Sequence, residues 1–133
     1  MYLVDTNIFL EILLEQEKSD EAEKFLKSVP TEHLHISDFS IYSIGIILFK
    51  LRKHDIFSEF IEDVLVNGGV TLLRLSVFDF DDVIKASEKF NLDFDDAYQY
   101  ALAKKYNLKI VSFDSDFDKT DLGRLLPSQA LQR

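Results

Sequence analysis

The sequence predicts an α/β fold of three layers, a central and mostly parallel sheet of four to five strands flanked by helices. Three observations predict it. Short apolar runs take turns along the chain with longer segments whose apolar residues recur at three and four positions. Two of those runs, Tyr2 to Val4 and Leu34 to Ile36, end directly on helix-start residues, Asp5 and Ser37. With 133 residues, 4 Gly and 2 Pro, the chain has the size of one domain and too little of either residue for a flexible linker, so residues 1–133 are expected to form one unit.

Taken in order, Tyr2-Leu3-Val4 is the first strand, and Asp5-Thr6-Asn7 opens a helix carried by Ile8, Phe9, Ile12 and Leu13. Ser19 is the expected cap of a second helix through Ala22, Phe25, Leu26 and Val29, which Pro30 helps to end. Leu34 to Ile36 is the second strand, with His33 and His35 alternating on one of its faces. Ser37 caps a longer helix through Ile41, Ile44, Leu48 and Leu51. Asp55 is expected to begin another through Phe57, Phe60, Ile61 and Val64, which Gly68-Gly69 breaks. Val70 to Leu73 forms the third strand. Asp79 and Asp93 are read as the starts of two further helices, the first through Val83, Ala86 and Phe90, the second through Ala97, Ala101 and Ala103. Lys109 to Phe113 is the fourth strand, and Leu122 to Leu126 is a candidate for a short last one.

Composition narrows the chemistry. There is no Cys, which excludes thiol catalysis and thiolate zinc sites, and His54, among Lys50, Arg52, Lys53 and Asp55, reads as solvent-exposed. The opening residues lack the positive start and apolar stretch of a signal peptide, and Ile44 to Phe49 is far shorter than the ~20 residues of a membrane helix. A soluble, cytoplasmic protein without membrane contact is the expectation. The formal charge of −9 opposes adhesion to polyanions, so RNA binding would rest on a local patch or on cations, whereas a basic protein partner would be attracted. Lys50, Arg52 and Lys53 at one helix end and Lys104 and Lys105 at another could contact a nucleic-acid backbone, although basic residues there also complement the helix dipole.

In a parallel sheet, ligands sit beyond the carboxyl ends of the strands. Asp5 and Asp114 follow two strand ends, and the start of the helix bearing Asp96 points to the same edge. Carboxylates gathered together repel, and they stay ionised at neutral pH only beside a cation; Mg²⁺ and Mn²⁺ favour the hard oxygens of Asp. Each acid also has a local role open to it: Asp5 and Asp93 as helix caps, Asp96 in a first turn, Asp114 and Asp116 in a turn. Asp38 reads as a first-turn acid beside the Ser37 cap, and Asp93, one turn before Asp96, could support a metal through water.

Three motifs, Val-Asp-Thr-Asn at 4–7, Asp-Asp-Ala at 95–97 and Ser-x-Asp-x-Asp-Phe at 112–117, stand on compatible elements. On them the chain resembles the PIN domain family across nearly its whole length, including the VapC-type toxins of toxin–antitoxin pairs. The resemblance implies a PIN-like, Rossmann-like fold and a Mg²⁺- or Mn²⁺-dependent endoribonuclease. It implies that Asp5, Asp96, Asp114 and Asp116 are the catalytic and metal-holding residues, with Asn7 and Ser112 in support. It also implies an RNA substrate, a cognate antitoxin, and homodimers or larger assemblies. The family's remaining acid, a glutamate six residues after a serine resembling Ser37, falls here on Ser43. A hydroxyl brings neither the charge nor the general-base capacity of a carboxylate, so a catalytically degenerate module acting through protein or RNA binding is the alternative.

Other motifs fail. Asp114-x-Asp116-x-Asp118 begins like an EF-hand loop, but Lys119 stands where Gly is needed and Leu125 where Glu is needed. A phosphoacceptor receiver would need an acidic pair after the first strand, and Asp5 has no acidic neighbour.

Overall fold

In the computed structural model, which describes residues 1–132, four strands form one parallel sheet. They are β1 (Tyr2–Val4), β2 (Leu34–Ser37), β3 (Thr71–Leu73) and β4 (Lys109–Val111), in the order β3-β2-β1-β4. Every pair is parallel, with Leu3 opposite His35 on one side and Ile110 on the other. The tail adds one parallel bridge, Leu125 to Val111, in place of a full last strand.

Among the described residues, seven helices cover the sheet: α1 (Thr6–Leu13), α2 (Ser19–Ser28), α3 (Asp38–Lys50), α4 (His54–Phe60), α5 (Phe80–Phe90), α6 (Phe94–Tyr106) and α7 (Pro127–Leu131). The twofold alternation of a strand sorts the core between two faces. Leu3 and Ile110 pack with Val83, Ala86, Ala97 and Leu102 under α5 and α6. Val4 and Val111, one residue further along each strand, pack with Ile8, Phe25, Ile44 and Phe60 on the opposite face. Full burial of such a side chain contributes ~1.5–3 kcal/mol, and this sandwich makes the strand ends rigid ground for a site.

Two helix starts differ from the sequence-based expectation. Ser19 is the first residue of α2, and Lys18 takes the cap position without a side-chain bond. Asp55 lies inside the first turn of α4, which starts at His54. Asp79 stands at the cap position of α5 as expected, and it also closes a 3-10 turn there, its carboxylate accepting from the Ser76 N–H at 2.8 Å in a reciprocal capping box. At Ser19 and Asp55 the helix begins one residue earlier than expected. His33 also leaves the strand for a 3-10 turn, whereas His35 stays on β2, its Nδ1 3.0 Å from the Tyr2 carbonyl. The Gly68-Gly69 break holds. A Cβ on Gly68 would come within 2.1 Å of the Asp63 carbonyl, at the end of the widened π-type turn Ile61–Val66.

Tyr98 of α6 fastens the two ends of the fold that flank the carboxyl edge. Its hydroxyl donates to Asp38 Oδ1 at 2.7 Å and accepts from the Leu75 N–H at 3.0 Å. Asp38 also accepts from the Phe39 N–H at 2.8 Å, so it serves the first turn of α3 as expected. Among the described residues no helix is long and apolar enough to cross a membrane.

Candidate metal centre

Asp5 leaves β1 and caps α1, its Oδ1 accepting from the Thr6 N–H at 2.8 Å. Its backbone N–H donates to the Val111 carbonyl, which fixes it against β4. Ser112, the first residue beyond β4, donates its hydroxyl to Asp5 Oδ2 at 2.7 Å and accepts from the Asp114 N–H at 2.9 Å. Asn7 completes this lacing, donating to Ser112 Oγ at 3.1 Å and accepting from the Phe113 N–H at 3.1 Å. Asn7 and Ser112 thereby tie the ends of β1 and β4 together.

Asp114 turns the chain into a 3-10 segment, Ser115–Lys119, by accepting from the Asp116 N–H at 2.9 Å. Asp96 stands in the first turn of α6, where the unpaired N–H groups and the helix dipole favour negative charge. The result is convergence: carboxylate oxygens of Asp96, Asp114 and Asp116 lie within 4.8 Å of one another. Asp96 and Asp114 share with Asp5 a cleft of about 150 Å³, lined also by Thr6, Ser43, Asp95 and Gln99, and Asp116 stands outside its lining. A drug-sized ligand needs ~300 Å³ or more, whereas a hydrated cation is on the scale of this cleft.

Electrostatics distinguish these acids from ordinary surface ones. Asp96 is only 5% exposed, and burial first, then the charges of Asp114, Asp95 and Asp5, push its carboxyl up to about 8. Burial also raises Asp5, against the opposing hydrogen bonds from Ser112, Gln99 and Thr6. Near neutral pH Asp96 is therefore largely protonated by itself, and a divalent cation beside it would favour its ionised form. The basic side chain paired with this group is peripheral: Lys119 Nζ is 3.4 Å from Asp116 Oδ1, with both side chains nearly half exposed.

Ser43 lines the cleft, in the place where the resemblance puts a glutamate. Asp93 occupies the cap position of α6 but makes no side-chain cap bond, is exposed, and does not border the cleft. Lys104 and Lys105 pair with Asp121 and Asp79, at the end of α6 remote from Asp96. Sequence reasoning overlooked Gln99 and Ser40, and gave Thr6 and Asp95, inside the quoted motifs, no role of their own. Gln99 donates to Asp5 Oδ1 at 2.9 Å and to Ser40 Oγ at 2.8 Å, and Ser40 lies 2.8 Å from Thr6 Oγ1. The available signal was helical spacing: Gln99 follows Asp96 by three residues, as Ser43 follows Ser40, and so shares its face.

The profile of the PIN domain family matches residues 2–122. The chain belongs to the PIN domain family. A comparison by sequence with curated proteins finds no match. Solved structures share the PIN fold. Mycobacterium tuberculosis VapC20, a toxin that cleaves the sarcin-ricin loop, superposes with a TM-score of 0.81 at 15% identity, over 96% of this chain and 100% of that one. FitAcB from Neisseria gonorrhoeae gives 0.75 at 21% identity, over 96% and 99%. A toxin–antitoxin complex from Klebsiella pneumoniae gives 0.76 at 19% identity, over 96% and 98%. Identities this low establish a common architecture, a parallel sheet between helical layers.

Proposed function

We propose that this PIN domain is an endoribonuclease dependent on Mg²⁺ or Mn²⁺, and the toxin of a toxin–antitoxin pair. The observation that carries the reading is the convergence of Asp96, Asp114 and Asp116 within 4.8 Å, beside Asp5. All four are hard oxygen donors, and their mutual repulsion supports a site for one or two divalent ions. When bound, such a cation supplies charge neutralisation and Lewis acidity to hydrolysis of a phosphodiester.

The chain's own residues do the positioning. Asp96, Asp114 and Asp116 would hold the ion, while Asp5 would present oxygens already oriented by Thr6, Ser112 and Gln99. Hydrolysis adds water across one P–O bond of RNA, leaving a phosphate and a hydroxyl on the two fragments. The cleft repels the phosphate backbone unless it is neutralised, which makes binding and cleavage depend together on the cation.

The test is cleavage of RNA by the purified chain with Mn²⁺ or Mg²⁺, with chelator, and as Asp5→Asn. Cation-dependent cleavage that Asp5→Asn abolishes supports the reading; unchanged cleavage in that variant would refute the assignments. A second reading, a PIN-like module that binds without cleaving, is favoured by one observation, the hydroxyl of Ser43 in the cleft. Under it the intact protein binds Mn²⁺ but leaves RNA whole.

The partners follow from charge and surface. A net charge of −9 suits a basic antitoxin, and the exposed apolar side chains Val77, Phe78, Ile84 and Phe94 support association of copies of the chain. A cytoplasmic location belongs to the same proposal.

A further inference from the structure

A second concavity, of about 360 Å³, lies between α5 and α6, lined by Lys85 and Lys89 from one helix and by Lys104 and Lys105 from the other. Only Asp79 and Asp82 oppose them within its lining, so the groove is locally positive on a chain of net charge −9. Its floor is apolar: Ala86 and Ala101 are buried, and Phe90 packs edge-on against Tyr100 with ring centroids 5.3 Å apart. The size is that of a ligand cleft, which begins at ~300 Å³. Three of the ammonium groups are open to a ligand. Lys89 has no ion pair among the described residues, and Lys85 and Lys104 pair with Asp81 and Asp121 where both partners are more than half exposed, so a phosphate oxygen can replace the aspartate. Lys105 is held by Asp79, a largely buried side chain, and forms part of the wall.

We infer that this groove is a second contact for single-stranded RNA, with backbone phosphates on Lys85, Lys89 and Lys104 and a base laid against the floor at Phe90. The inference takes RNA as the ligand from the proposed function. The acidic cleft repels a phosphate backbone when no cation neutralises it, so a strand needs a foothold elsewhere on the molecule. Lys104 stands eight residues beyond Asp96 on the same helix, ~12 Å along its axis, a distance that a few nucleotides cover. Charge at the rims and an aromatic edge in the floor match a strand that alternates phosphate with flat base, and favour RNA over an acidic protein segment.

Fluorescence anisotropy of a labelled single-stranded oligouridylate, titrated with the whole chain in chelator over a salt series, tests the groove without the cation. Three forms are compared: unaltered, Lys85→Gln with Lys89→Gln, and Lys24→Gln with Lys27→Gln. The last pair removes the same charge from α2, on the opposite layer, and all four lysines are exposed helix residues where Gln is well tolerated. Each phosphate contact to a single strand adds ~0.7 to the slope of log affinity against log salt. The α5 variant should bind more weakly, with a slope shallower by ~1.4, while the α2 variant keeps the slope of the unaltered chain. In Mn²⁺ the α5 variant should cleave RNA with a raised KM and an unchanged kcat. Equal losses in both variants would mean that net charge alone is felt, and absent binding, or equal binding by all three, that the groove holds no RNA. Either result overturns the inference and leaves cation-dependent cleavage standing. Poly-glutamate that binds as tightly as the RNA, with the same dependence on Lys85 and Lys89, would give the groove to an acidic protein and overturn it too. Groove-dependent binding without cleavage in Mn²⁺ would refute the nuclease reading and support the groove.

Discussion

Two acids serve helix α6 at opposite ends, and they are shifted in opposite directions. Asp121, beside the last turn, accepts from Lys104 Nζ at 2.7 Å and from the Tyr100 hydroxyl, and these bonds hold its carboxyl down to about 2. Asp96, in the first turn, is pushed up to about 8 by burial and by the charges of three other aspartates. The chain has 15 Lys and Arg to distribute, yet among the described residues none lines the cleft. At one end of α6 the protein supplies its own counter-charge; at the other it gathers acids, which under the proposed function a cation from solution would compensate.

The largest effect expected from this contrast is on Asp96. Asp96→Asn should lower RNA cleavage by about 10²–10³-fold, the range seen when one preorganised electrostatic group is removed, and should abolish Mn²⁺ binding in the same preparation. Retained cleavage would break the comparison, because Asp96 would then be a helix-cap acid like any other.

Saturation comes next. At a Mn²⁺ concentration 100 times the Kd, stabilisation should be ~2.7 kcal/mol, read as a rise in melting temperature that Asp96→Asn loses.

The pH dependence of the metal-free protein sharpens the contrast. Asp96 in the folded state keeps a proton that the unfolded chain releases near its ordinary value of 3.8. Its burial is therefore best tolerated below that value, and metal-free stability should decline as pH rises towards about 8, where the folded state also ionises. Thermal melts in chelator between these limits check it, and Asp96→Asn should flatten the decline. Asp121 predicts the reverse sign, with its contribution lost as pH falls towards about 2.

Tyr98→Phe should cost ~1–3 kcal/mol in urea unfolding, because the buried Leu75 N–H loses its acceptor, while Mn²⁺ binding stays unchanged. The smallest effect belongs to Lys104→Ala. Its pair with Asp121 is about half exposed on both sides, and melting temperature should not shift measurably.

Much of the fold was legible because strands and helices bury residues at different periods. Leu3 and Val4 face opposite layers as a strand requires, and Ile44 and Leu48 share a helix face. Strand-ending caps were legible too, since Asp5 and Ser37 bond to the first turns that follow them. Ser19 and Asp55 were misplaced by one position because several polar residues in a row can open a turn, and packing of the apolar face chooses among them. Gln99 escaped notice because a neutral amide inside an alanine-rich helix carries no charge signal; only its three-residue distance from Asp96 set it apart.

What the sequence alone determines is the supply of chemistry: aspartates at or shortly beyond strand ends or at a helix start, no thiol, an overall negative charge, and Ser43 where the resemblance expects an acid. Only the tertiary structure decides that Asp96, Asp114 and Asp116 meet within 4.8 Å, that Asp5 is laced to Ser112 and Gln99, and that Asp38 is claimed by Tyr98. The physical reason is that burial and charge proximity depend on distance across the sheet edge. Residues 5, 96 and 114 are far apart along the chain, and the parallel register of β1 and β4 beneath α6 is what closes that distance.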